Sequence, residues 1–231
     1  MRKLLLSFRD RLTYRIGVIR NRRALKLRPK QLFSIKRSLV KIHRDLFKID
    51  EKIQRFAANR APLTPLEKLV IVLEDRRFFA HRGFDWIAAA REFLKAMTFQ
   101  RAGGASTIDM QFVRTATGFK DPTIRRKLYE IFLAWLIQFR YPKIIILRSY
   151  IACAFFGPHL YGVERASIRL YGKSSLLVTE QEAAELAAML VYPRPLRPRD
   201  EWMTKVKRRA AYGRSWVERL EKSFEQIPVG K

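Results

Sequence analysis

Glu74-Asp75-Arg76-Arg77-Phe78-Phe79-Ala80-His81-Arg82-Gly83-Phe84-Asp85 crowds carboxylates, guanidiniums and an imidazole behind an apolar run over residues 69–73. A helix over residues 66–79 would bring Glu74, Phe78 and His81, at i, i+4 and i+7, to one face. A carboxylate near the end of a buried helix, with an imidazole seven residues beyond it on the same face, is a candidate general base.

Composition bounds the setting. The chain has 231 residues, 48% of them hydrophobic, which is enough for a large core and excludes wholesale disorder. Its single cysteine, Cys153, rules out an internal disulfide framework and a cysteine zinc site; lying in an apolar run, it reads as a buried inert thiol.

The net charge is +27. Residues 1–60 hold 19 Lys and Arg against 4 Asp and Glu, a surplus of 15; the rest hold 29 against 17, a surplus of 12. Such an excess calls for an anionic partner: nucleic acid, anionic lipid or a diphosphate. No zinc-finger spacing, RNP-like motif or Gly-rich phosphate loop is present, so nucleic-acid binding rests on charge alone.

No run of eighteen apolar residues occurs, so no membrane-spanning helix is expected. The start, with an apolar stretch only over residues 4–6, does not qualify as an export signal. Wound as a helix, it places Leu5, Phe8, Leu12, Ile16 and Ile19 opposite a face rich in arginine. This basic amphipathic helix suits an anionic leaflet, or equally a docked helix with a solvated basic face. Leu32, Ile35, Leu39, Ile42, Leu46, Ile49, Ile53 and Phe56 then recur at steps of three and four, the seam of a second long helix. Residues 1–60 are therefore expected to form a basic helical extension, and residues 61–231 the main domain.

That domain reads as all-α. Thr64-Pro65-Leu66-Glu67 has the form of a capping box with proline at the first helical position. Asp121-Pro122 opens a helix with Ile124, Leu128, Ile131 and Trp135 at helical spacing, Pro142 opens another, and Thr179-Glu180-Gln181-Glu182 caps a third.

Further motifs carry chemistry. Gly103-Gly104-Ala105-Ser106-Thr107-Ile108-Asp109-Met110-Gln111-Phe112-Val113-Arg114 is a glycine turn before a capped helix. Its backbone N–H groups suit an anion, and Arg114 adds a charged donor. The blander account is a turn and a cap, with Ser106 and Asp109 as S-x-x-D. In Arg126-Lys127-Leu128-Tyr129-Glu130, Arg126, Lys127 and Glu130 share a helix face.

These blocks resemble the ordered motifs of the peptidoglycan glycosyltransferases, the family that includes the polymerising domains of class A penicillin-binding proteins and the monofunctional transglycosylases. The first block is similar to E-D-x-x-F-x-x-H-x-G-x-D, the second to G-x-S-T-x-T-Q-Q, the third to R-K-x-x-E. Tyr161-Gly162-Val163-Glu164-Arg165-Ala166 and the proline-rich residues 191–198 are similar to the fourth and fifth, so the resemblance covers residues 62–209. The departures are specific: Asp109 stands where the family has Thr, Met110 where it has the first Gln, Arg114 where it has Lys, Ala152 where it has Asn. A carboxylate at 109 would repel a diphosphate unless it binds a divalent cation or turns away.

The resemblance implies a lysozyme-like α-helical domain. Its reaction would polymerise lipid II, by inverting transfer of an undecaprenyl-diphosphate-linked glycan to the 4-hydroxyl of GlcNAc. Glu74 is then the base and Glu130 the second catalytic carboxylate. Asp75, His81, Ser106, Thr107, Gln111, Arg114, Arg126 and Lys127 bind and orient substrate, with His81 the most structural of them. Glu130 would orient the cations among them or help hold a divalent ion; Mg2+ or Mn2+ is the only cofactor implied, and the setting is peripheral on a bacterial cytoplasmic membrane. The departures leave a second reading: a non-catalytic paralogue that binds lipid-linked or polyanionic ligands.

Overall fold

The computed structural model describes residues 29–54, 62–97, 106–119 and 121–226. The expected helix at the N-terminus, the end of the seam at Phe56, the boundary near residue 60 and the Gly103-Gly104 turn lie outside them. The chain divides into two units between His43 and Arg44.

Among the described residues the class is all-α, as expected, with nine helices and one two-stranded antiparallel hairpin. Helix α1 is Pro29–Gln54, α2 Pro65–Glu74, α3 Trp86–Met97, α4 Ile108–Thr117 and α5 Ile124–Ile137. Helix α6 (Lys143–Cys153) leads into strands β1 (Phe155–Gly157) and β2 (Leu160–Tyr161), followed by α7 (Val163–Tyr171), α8 (Glu180–Met189) and α9 (Asp200–Glu225).

The expected caps form. The hydroxyl of Thr64 accepts from the Glu67 amide at 3.2 Å and the Glu67 carboxylate accepts from the Thr64 amide at 2.9 Å, with Pro65 opening the helix. Thr179 and Glu182 repeat the arrangement at the start of α8. Each box satisfies two amides that a helix start otherwise leaves unpaired.

In the second unit α2 packs against α8 and α9, while α4 packs against α5 and α6. Leu69, Val70, Phe112, Leu133, Ile146 and Leu186 are all buried in the core. The C-terminal part of α1 joins this body: Ile49 and Ile53 of the seam are buried, and Tyr129 and Tyr141 donate their hydroxyls to Asp45 at 3.1 Å and Asp50 at 2.8 Å. Cys153 is half-buried, and burial pushes its thiol up to about 11, in keeping with an inert residue.

One expectation needs correction. The helix that was to run over residues 66–79 stops at Glu74; Asp75 breaks from helical geometry (φ −157°, ψ 77°) and a separate 3-10 turn, Phe78–Ala80, follows. The cause is tertiary, because the Asp75 carboxylate is engaged by His81 and by the start of α4. The expected helix α5 forms, with its apolar row turned outward: Ile124 is 82% and Leu128 62% exposed, while Glu130, Leu133, Ala134 and Ile137 are buried. The helix is turned so that its carboxylate, rather than its most regular apolar row, reaches the interior.

Gly83 sets how closely the loop before α3 approaches α5. Its φ is +82°, and a Cβ there would stand 2.6 Å from the backbone carbonyl carbon of Ala134. Its own carbonyl accepts a hydrogen bond from the Thr107 hydroxyl at 2.7 Å, which ties this loop to the start of α4.

Candidate active site

Helix α2 ends with Glu74 pointing into a cleft of about 480 Å³, bordered by Asp75, Arg76, Ser106, Thr107, Arg209 and Tyr212 among others. Its Oε2 accepts from the Gln111 side-chain amide on α4 at 2.9 Å. Its Oε1 is buried and accepts no hydrogen bond, the nearest cation being the Arg209 guanidinium at 3.7 Å. Burial holds the Glu74 carboxyl above its ordinary value; the Gln111 bond and Arg209 oppose this, while the Asp75 charge adds to it.

Helix α4 connects this cleft to a cationic cluster. One turn after Gln111, Arg114 bonds Glu130 in bidentate fashion, Nε to Oε1 and Nη2 to Oε2, both at 3.2 Å. Arg126 stands 3.5 Å from the same carboxylate, at ion-pair distance, and Glu130 is fully buried. Lys127 donates to the Ser106 hydroxyl at 2.6 Å, and Arg114 Nη2 lies 3.4 Å from that oxygen. Ser106 lines the cleft, so Lys127 and Arg114 meet at its edge through one hydroxyl, with Arg126 behind them on Glu130. Burial and the neighbouring Arg114 hold Lys127 below the usual lysine range, with Glu130 opposing. A polyanion seated here would relieve that repulsion.

The remaining sequence candidates are placed differently. Thr107, not Ser106, caps α4, accepting from the Met110 amide at 3.3 Å while donating to Gly83; Asp109 takes no part in that cap. His81 does not line the cleft. Its Nε2 lies 2.9 Å from Asp75 Oδ2, and its ring is 5% exposed. Asp75 Oδ2 also accepts from the Ile108 amide at 3.2 Å, binding the end of α2 to the start of α4. Asp109 turns away from the cleft and is fully buried, held by Lys143 at 2.7 Å and by the Gln138 amide.

Both oxygens of Glu130 face guanidiniums, so of its two expected roles it takes the orienting one and offers Mg2+ or Mn2+ no free oxygen. Among the described residues, Asp75, His81 and Asp109 also lie close together, with His81 on Asp75 Oδ2 and Lys143 on Asp109 Oδ2.

Arg209 is the residue that sequence reading singled out least. It donates to the Leu73 carbonyl at 2.7 Å, an orphan acceptor at the end of α2, and from there faces Glu74. The signal was the Lys207-Arg208-Arg209 run, which does not say which of the three faces inward. Asp85 was likewise quoted without a role; it accepts from the Ile87 and Ala88 amides at 3.0 Å and from Arg77 at 2.9 Å, and so starts α3.

Helix α3 carries an apolar surface beside the cleft. Trp86 is 75% and Leu94 62% exposed, and they line a shallow groove with Ile87 and Ala90. Arg91 and Lys95 border both this groove and the polar cleft, so the two adjoin along α3.

Residues 45–216 match the model of the family described as Transglycosylase. The chain is 32% identical over 169 residues to a biosynthetic peptidoglycan transglycosylase of Aeromonas hydrophila, covering 72% of this chain and 68% of that protein. It is 39% identical over 131 residues to a protein of the same name from Rhodospirillum centenum, 56% of each. It is also 39% identical over 133 residues to penicillin-binding protein 2a of Streptococcus pneumoniae, where the match spans 58% of this chain and only 18% of the relative.

Proposed function

Because this chain belongs to the Transglycosylase family, we propose that it is a peptidoglycan glycosyltransferase that polymerises lipid II with inversion, and that Glu74 is its base. The observation that carries this reading is the asymmetry of Glu74: Gln111 fixes one oxygen, while the other is buried in the cleft without a hydrogen bond. That free oxygen is placed to accept the proton of an incoming hydroxyl, and burial makes the carboxylate a stronger base than an exposed one.

In the proposed reaction the acceptor's 4-hydroxyl oxygen bonds to the anomeric carbon of the donor. Its proton passes to Glu74, and the bond from that carbon to the diphosphate breaks. Undecaprenyl diphosphate leaves with the electron pair. Arg114 and Lys127 meet the growing charge at the edge marked by Ser106. Glu130 holds Arg114, and Arg126 beside it, in place, so the guanidinium is set before charge develops. Asp75 and His81 orient rather than react.

The prenyl chain and the membrane surface are assigned to the α3 groove, which adjoins the cleft as an apolar face with Arg91 and Lys95 at its rim. Among the described residues no helix is long and apolar enough to cross a membrane. The non-catalytic reading loses one of its motives, since Asp109 is withdrawn from the cleft and paired with Lys143.

Incubation with lipid II, beside Glu74→Gln, tests the reading. Glycan ladders from the parent, reduced about 10²–10⁴-fold in the variant, are expected from loss of a general base. Equal ladders from both would remove Glu74 from that role, and binding without polymer in the parent would favour the non-catalytic alternative.

A further inference from the structure

Behind the cleft lies a closed ring of contacts that the proposed reaction does not use directly. Asp75 Oδ2 takes the Ile108 amide and the Nε2 corner of His81. The other ring nitrogen of His81, Nδ1, is buried with no hydrogen bond and faces Asp109 Oδ2 at 3.9 Å. Asp109 follows Ile108 in the chain, so the ring closes through one peptide bond. Three separate segments, the end of α2, the turn carrying His81 and the first turn of α4, meet in it.

Asp109 is itself firmly held. Gln138, at the end of α5, donates to Oδ1, and Lys143, at the start of α6, donates to Oδ2. The Lys143 ammonium is enclosed in turn, 4.3 Å above the ring of Phe78. It supplies the positive charge that lets a second buried carboxylate sit near Asp75.

We propose that Asp109 is a positioning residue: its buried carboxylate, anchored by Lys143 and Gln138, fixes the His81 ring, which fixes Asp75 and through it the placing of Glu74 against Gln111. With a carboxylate before each nitrogen, one ring orientation keeps Nε2 on Asp75; a flipped ring would set carbon there. Asp75 in turn holds α2 against α4, the two helices that carry Glu74 and Gln111. A threonine at 109 is one bond shorter and uncharged, and gives Lys143 no counter-ion. The substitution at 109 and the buried lysine therefore act as one unit.

This inference rests on Glu74 being the base, and its test separates the two. Asp109→Asn keeps the side-chain shape and removes the charge. Asp109→Asn with Lys143→Met removes both charges, so that buried charge imbalance is no longer a cause of loss. The measurements are kcat and KM for lipid II polymerisation, thermal midpoints, and nitrogen-detected NMR of the histidine rings. The chain has three histidines, and His43→Gln and His159→Gln assign the signals. The expected result is a kcat at least about tenfold lower in both variants with KM within about twofold, and displaced His81 ring signals. The thermal midpoint recovers in the double variant while kcat does not.

Parental kcat in the double variant would overturn the proposal, as would His81 signals unmoved by Asp109→Asn. If the parent makes no polymer, the reading of function fails separately. The ring signals then still decide the link from Asp109 to His81: displaced signals support it and unmoved signals overturn it.

Discussion

Arg114 on α4 grips both oxygens of Glu130 on α5, at 3.2 Å each, around a carboxylate with no exposed surface. This pair turns α5 with its carboxylate inward, and it sets the guanidinium beside Ser106 at the edge of the cleft. Glu130→Gln keeps the shape but leaves Arg114 and Arg126 facing each other without a counter-charge. Arg114 and Arg126 keep 35% and 20% of their side-chain surface in water, so the loss costs roughly 1–3 kcal/mol rather than the cost of a fully buried pair. Chemical denaturation should show that loss, and polymerisation should fall with it even at temperatures where the variant is folded.

The pH dependence of polymerisation follows from Glu74. The carboxyl is held above its ordinary 4.5 by burial, so the ionised base is gained only as pH rises through that higher value. The acid limb of kcat/KM is expected above the usual carboxylate range. Arg209 opposes the shift, so Arg209→Met should carry the limb further toward alkaline pH and lower activity at neutral pH by roughly tenfold or more. For stability the sign is the reverse: the native state binds this proton more tightly than the unfolded chain, so its contribution declines as pH rises from 4.5 through the folded value. Glu74→Gln should therefore melt higher than the parent at neutral pH.

Gly83 and Gly118 both have positive φ, +82° and +72°, yet only the first is pressed against another backbone. Gly83→Ala must push the loop off α5 and weaken the Thr107 bond, at a cost of about 3 kcal/mol. Gly118→Ala meets nothing within 4 Å and bears only the left-handed strain, about 1 kcal/mol. Thermal melts of the two variants side by side would reveal the difference.

The α3 face makes a separable prediction about the membrane. Trp86→Gln with Leu94→Gln removes two exposed apolar side chains and leaves Arg91 and Lys95 at the rim. Sedimentation with anionic vesicles should show binding about tenfold weaker or more, given the transfer energy of such side chains. Binding equal to that of the parent would place membrane contact elsewhere on the chain.

What the sequence determined by itself is what depends on near neighbours. Thr64, Pro65 and Glu67, and Thr179 with Glu182, marked two helix starts within four residues each, because a cap is a local hydrogen bond. The all-α class followed from such signals, and the spacing of the motif blocks located Glu74 and the cations that gather near Ser106.

The tertiary structure alone decided which side of α5 is buried, where α2 ends and which way Asp109 turns. The apolar row of Ile124 and Leu128 gives a regular spacing without saying which face meets the core, and the buried pairing of Glu130 with Arg114 overrides it. Asp75 leaves the helix because Ile108, 33 residues on, supplies an amide to its carboxylate. Arg209 reaches the Leu73 carbonyl across 136 residues. Asp109 turns inward because Lys143 and Gln138, 34 and 29 residues further along, compensate its burial. Isolated charges are too costly to bury, so a carboxylate's direction is set by whichever cations the fold brings to it, and no pattern of near neighbours carries that information.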